Sequence, residues 1–87
     1  MFTKITINDL KQEFGIWCKQ MRKKEGLSQT ELAELLAVSR LTISNLEKGI
    51  NVNVDTLFCA LKHFDELNAF HALVKDKQAS LTIESLY

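Results

Sequence analysis

Proline is absent from the 87 residues and glycine occurs three times, so long Pro/Gly linkers and low-complexity segments are excluded. Two cysteines, Cys18 and Cys59, are too few for a disulfide framework. They read as small buried hydrophobes in a reducing compartment. No apolar run approaches the ~18–20 residues that cross a bilayer, and no signal-type apolar stretch follows Met1, so a cytoplasmic chain without membrane contact is expected. Net charge is lacking too. Eleven Lys/Arg balance eleven Asp/Glu, which argues against indiscriminate attraction to polyanions. There is no glycine-rich phosphate loop and no Cys-x-x-Cys pair. Cys59 and His63, four apart, give two ligands where a structural zinc site needs four. No metal, cofactor or enzymatic activity is expected.

The composition that remains is ordinary for a globular chain, with 46% apolar and 25% charged residues. It fits one domain over residues 1–87, with a core at about 8–75 and a tail at 76–87. A core this small is marginal alone, which favours dimerisation. Charge is unevenly spread: residues 1–50 carry eight Lys/Arg against six Asp/Glu, residues 51–87 three against five. The positive end of that mild dipole lies in the N-terminal half.

Apolar spacing near 3.6 predicts an all-α domain of five helices. The first starts after an Asn8 cap, runs to a stop at Gly26, and places Leu10, Phe14, Trp17, Cys18 and Met21 on one stripe. Ser28-Gln29-Thr30-Glu31 is a capping box opening a second helix, with Leu32, Ala33 and Leu36 inward. Ser39 caps a third that ends at Lys48, with Gly49 as its stop and Ile43 and Leu46 as core contacts. Asn53 caps a fourth at about 54–64, whose inner face carries Leu57, Leu61 and Phe64. Asp65 caps a fifth at 66–75, bearing Leu67, Phe70, Leu73 and Val74. At both ends the period changes to two, in Lys4-Ile5-Thr6-Ile7 and Ser80-Leu81-Thr82-Ile83, which permits short terminal strands.

The second and third helices are separated by Ala37-Val38 alone. So tight a joint between short helices makes them cross steeply, as in a helix-turn-helix, here over residues 28–48. Ala33 supplies the small residue such a crossing needs, Val38 the apolar plug after the turn, and Ile43 and Leu46 the anchors. Gly26 to Ala33, then Val38 to Ser44, then Leu46-Glu47-Lys48-Gly49, with Arg22 and Phe14-Gly15, resemble the Cro/cI-type, or Xre, helix-turn-helix family. The resemblance covers about residues 10–64. It implies a five-helix, lambda-repressor-like domain that binds double-stranded DNA as a homodimer on a two-fold operator. The chain departs from the family at the turn, where Ala37 stands in place of the usual glycine, and after Gly49, where the frequent proline is missing.

With that resemblance, residue roles follow. The amide end of the second helix, with Gln29, is expected to clasp a phosphate. The third helix would lie in the major groove with its first turn on base edges. Arg40, Leu41, Ser44 and Asn45 point away from its buried side: Arg40 suits guanine O6 and N7, Asn45 suits adenine N6 and N7, and Leu41 suits a thymine methyl or else a contact with another protein, and is carried as a base contact. Ser39 and Thr42 stay open between capping, phosphate contact and base contact, and are carried as phosphate contacts. Lys48 is expected on phosphate, with Lys19, Lys23 and Lys24 as peripheral candidates. The resemblance implies a salt bridge between Arg22 and Glu47, with the guanidinium also near phosphate. Phe58, Leu67, Phe70 and Val74 are expected at the dimer interface.

The leading expectation is a sequence-specific transcriptional repressor. Alternatives in the same class are an antitoxin of the HipB type, with a cognate toxin as second partner, and a restriction-modification controller. The rival from another class is a helical protein-interaction module without DNA binding.

Overall fold

The computed structural model describes residues 4–85. The elements in order are α1 (Ile7–Lys24), α2 (Gln29–Leu36), α3 (Arg40–Lys48), α4 (Val54–His63) and α5 (Leu67–Ser85). This is the all-α, lambda-repressor-like architecture expected, with no strand among the described residues.

Side chains written into the sequence start the first four helices. The Ser28 hydroxyl accepts from the Glu31 amide at 3.0 Å, and the Glu31 carboxylate accepts from the Ser28 amide at 2.8 Å. Ser39 Oγ accepts from the Thr42 amide at 3.1 Å, and Asn53 Oδ1 from the Thr56 amide at 2.7 Å. α1 begins at Thr6, two residues before the expected Asn8 cap. There Thr6 and Asp9 form a reciprocal box at 2.9 and 3.2 Å, satisfying two donors where an Asn8 cap would satisfy one.

The same helices share one way of ending. The amide after the helix bonds three residues back while the next bonds five back, with the residue between them left-handed. Leu27 donates to the Arg22 carbonyl at 3.1 Å, Val38 to Ala33 at 2.9 Å, Ile50 to Asn45 at 2.8 Å and Glu66 to Leu61 at 2.8 Å. The left-handed residues are Gly26, Ala37, Gly49 and Asp65, at φ 73°, 57°, 72° and 62°. Ala37 thus takes the glycine conformation with a Cβ attached. Asp65, expected to cap α5, instead terminates α4, and the first backbone bond of α5 goes from Phe70 to the Glu66 carbonyl at 3.2 Å.

Cys18, Leu32, Ala33, Ile43, Leu46, Ala60 and Phe64 form the buried core, flanked by Phe14, Trp17, Met21, Leu27, Leu36, Val38 and Val52. The Trp17 and Phe64 rings meet edge to face at 5.4 Å, tying α1 to the end of α4. α1 and α3 cross very closely. A Cβ on Gly15 would fall 2.5 Å from the Leu46 carbonyl oxygen, so only glycine fits. Leu57 and Leu61 are half-buried, and Leu10, expected on the inner stripe, is 62% exposed. Cys59 lies at the surface, not in the core where it was expected. His63, beside it, meets Glu25 Oε1 through Nε2 at 2.7 Å.

The largest difference from expectation is α5. Residues 76–85 continue the helix, so the segment expected to end at Lys75 and become a tail with a short strand is helical through Ser85. Lys4–Thr6 likewise form no strand, and Ile7 is already helical. No glycine or proline interrupts residues 67–85, and Thr82 and Ile83 cost a helix only a few tenths of a kcal/mol each. A two-residue alternation cannot become a strand without a neighbouring strand to pair with.

Candidate nucleic-acid interface

α2 and α3 are held at their angle by the Ala37-Val38 corner on one side and an ionic brace on the other. Arg22 of α1 and Glu47 of α3 are 7% and 8% exposed. The Arg22 Nε donates to Glu47 Oε2 at 2.6 Å and a terminal nitrogen donates to Oε1 at 3.1 Å, the two-pronged geometry that suits a carboxylate. The other terminal nitrogen donates to the Leu27 carbonyl at 2.8 Å, on the chain entering α2. One guanidinium therefore fixes α1, the start of α2 and the end of α3 together. The hydrogen bond to Glu47 pushes the Arg22 pKa above its already high ordinary value, outweighing the opposing effect of burial. Cys18 beneath it is pushed up to about 12, first by burial and then by the charge of Glu47.

Gln29 belongs to the same network, which the sequence reading missed. Its Nε2 donates to Glu47 Oε1 at 3.1 Å across eighteen residues of sequence. A side-chain amide carries two hydrogens on that nitrogen, so one remains for a phosphate while the other holds Glu47. The phosphate contact expected of Gln29 and the brace are chemically compatible. Its partner was hidden because nothing local distinguishes a glutamine aimed at solvent from one aimed at a distant carboxylate.

α3 turns Ile43, Leu46 and Glu47 inward. Arg40 and Leu41 are exposed, Leu41 at 67%, and Ser44 and Asn45 are half-exposed. Among the described residues, no side-chain hydrogen bond ties these four to the rest of the chain. Ser39 Oγ and Thr42 Oγ1 lie 2.9 Å apart at the start of the helix, so both hydroxyls serve the cap and one lone pair or proton of each remains open. Lys48 is exposed in the last turn. At α2, the Ser28 amide holds the Glu31 carboxyl below the usual carboxylate range, the expected response at a helix start.

The residues expected at a dimer contact also come together. The Phe58 and Phe70 rings are 5.6 Å apart between α4 and α5, and with Leu67, Val74, Asn68 and His71 they line a shallow apolar hollow. No helix among the described residues is long and apolar enough to cross a membrane.

No curated protein matches the chain. A helix-turn-helix family model matches residues 19–65, from the middle of α1 to the end of α4. That span holds the brace, the two-residue corner and the outward face of α3. The protein therefore belongs to the Xre, or Cro/cI-type, helix-turn-helix family of DNA-binding transcriptional regulators.

Proposed function

We propose that this regulator is a repressor that binds an inverted-repeat operator in double-stranded DNA as a homodimer, acting in the cytoplasm at the nucleoid. The observation that carries the reading is the outer face of α3: Arg40, Leu41, Ser44 and Asn45 stand on a helix braced from behind, with no intrachain side-chain hydrogen bonds among the described residues to consume their polar groups. Arg40 takes a guanine, Asn45 an adenine and Leu41 a thymine methyl, with Ser44 beside them on the base edges. Gln29 and the α2 amide end hold one phosphate, and Lys48, Ser39, Thr42 and the unused N–H groups of Arg22 hold its neighbours. Phe58, Leu67, Phe70 and Val74 contribute the dimer contact, placing two α3 helices in major grooves about one helical turn apart. Repression follows from occlusion of a promoter.

The antitoxin alternative drew its support from a terminal strand, and residues 80–85 are helical, so no observation now favours it over a plain repressor. The module without DNA binding would need aromatic anchors on α3, where the exposed side chains are instead polar or aliphatic.

Selection of bound sequences from a random duplex library tests the proposal. A palindrome with half-sites one helical turn apart is expected, with affinity falling by roughly 10³–10⁵ between 50 and 200 mM salt. Recovery of no consensus together with a flat salt response would refute it.

A further inference from the structure

A carboxamide has two unlike ends: its nitrogen donates hydrogen bonds and its oxygen accepts them. Phosphate oxygens only accept, so a glutamine helps to bind a phosphate when its nitrogen faces out and opposes binding when its oxygen does. A glutamine free in solvent presents both ends alike. Which end Gln29 presents therefore needs a cause, and its own helix supplies none. Gln29 is the first residue of α2, and Ser28 and Glu31 close the capping box between themselves.

The cause lies on α3. The Glu47 side chain is 4% exposed, and its two oxygens take three donors. Oε2 accepts from Arg22 Nε at 2.6 Å, while Oε1 accepts from a terminal nitrogen of Arg22 and from Gln29 Nε2, both at 3.1 Å. Turning the carboxamide over would set the Gln29 oxygen against Glu47 Oε1, acceptor against acceptor. In a site shielded from water such a mismatch is costly. The carboxylate thus selects the nitrogen, and the second hydrogen on it diverges from the first and is the one left for a ligand. Arg22 cannot make this selection, because a guanidinium has only donors and offers the Gln29 nitrogen no acceptor.

We propose that Glu47 is a positioning residue for the DNA backbone. Without touching DNA, it commits one hydrogen of Gln29 Nε2 to the brace and so aims the other at a phosphate. This deepens the phosphate contact assigned to Gln29 and rests on it. Because the contact is made by a neutral group, it adds affinity without adding to the salt dependence, which belongs to Lys48 and the other cations.

The duplex recovered by selection, with one phosphate at a time along a half-site replaced by a neutral methylphosphonate, provides the test. Gln29→Ala should lose about 10-fold in affinity on the unmodified duplex, leave the salt slope unchanged, and shrink the methylphosphonate penalty at one position by the same factor. Glu47→Gln should shrink the penalty at that same position. In the Glu47→Gln background, Gln29→Ala should then cost less than about 2-fold, the non-additivity of two residues acting through one contact. A merely structural Glu47 gives another pattern: the penalty at that position survives Glu47→Gln, and Gln29→Ala costs the same in both backgrounds. That pattern overturns the proposal.

If Glu47→Gln fails to fold, nuclear magnetic resonance of the isotope-labelled wild-type chain decides. One carboxamide hydrogen of Gln29 should exchange with solvent more slowly than those of the exposed Gln12 and Gln20, and the other should shift when duplex is added. Two hydrogens that both exchange as fast as the exposed glutamines overturn the proposal. Duplex binding without these signs removes the role of Glu47 and keeps the regulator, whereas absence of duplex binding at low salt removes both.

Discussion

α3 and α5 both turn a face to solvent, yet they are held in opposite ways. α3 is nine residues long and fixed on every other side, by the Gly15 crossing, the Ala37-Val38 corner and the Arg22–Glu47–Gln29 network. α5 is nineteen residues long and rests on the body by its first turns. The exposed face of α3 is mostly polar, whereas that of α5 includes Phe70, Leu73 and Val74. A polar face on a rigid support is suited to a ligand that supplies matched hydrogen bonds, and an apolar face on a weak support is suited to a protein surface. Rigidity and chemistry change together along the chain.

Removing the brace is the most severe way to break this contrast. Arg22→Ala leaves Glu47 buried without its cation and should cost about 3–5 kcal/mol in urea unfolding. A change below about 0.5 kcal/mol would mean that α3 is not held by the pair. Gly15→Ala drives a methyl into the Leu46 carbonyl and should cost about 1–3 kcal/mol. On α5, Leu73→Ala should stay within about 0.5 kcal/mol at concentrations where the chain is monomeric, as surface substitutions do.

On the DNA side, Arg40→Ala should lose about 1–3 kcal/mol on the selected operator and relax preference at one base pair. Lys48→Ala should weaken all sequences alike and flatten the salt slope. Identical behaviour of the two variants on selected and scrambled duplexes would show that the outer face of α3 does not read bases. Smaller effects belong to the helix ends. Ala37→Gly and Asp65→Gly, both at left-handed positions, should each raise stability by up to about 1–2 kcal/mol, measured as a higher melting temperature.

The smallest perturbations are chemical. Cys18, buried and pushed up to about 12, should resist iodoacetamide at pH 8 in the folded chain, while exposed Cys59 reacts. Mass spectrometry of the labelled peptides separates them. Glu31 has a lowered folded pKa, so its contribution to stability is present above its unfolded value and fades as the pH falls through the folded one. Glu31→Gln should therefore flatten the acid limb of a melting-temperature profile slightly.

Apart from the Arg22–Glu47 bridge, which the family resemblance implied, the features legible in the sequence were those encoded over three to five residues. Ser28, Ser39 and Asn53 each cap the helix that their neighbours imply, and the two-residue spacing of Ala37-Val38 carries the corner. Asp65 misled because an acidic pair before an apolar run usually opens a helix, whereas here the backbone needed a left-handed residue first. The outer turns of α5 were obscured by β-branched residues whose alternation has no strand among the described residues to pair with. Gln29 was read as a phosphate ligand only, because its second partner lies on another helix. Gln29–Glu47 is the long-range contact that the sequence concealed, whereas Thr6, Asp65 and the outer turns of α5 were missed locally.

The separation between the brace and the outer face of α3 has an engineering corollary. Arg22, Gln29 and Glu47 fix the pose of α3, while Arg40, Leu41, Ser44 and Asn45 share no side-chain hydrogen bond with them. If the proposed base contacts hold, exchanging the exposed Arg40 and Leu41 should change operator preference with little penalty to folding, leaving the brace as a constant chassis beneath them.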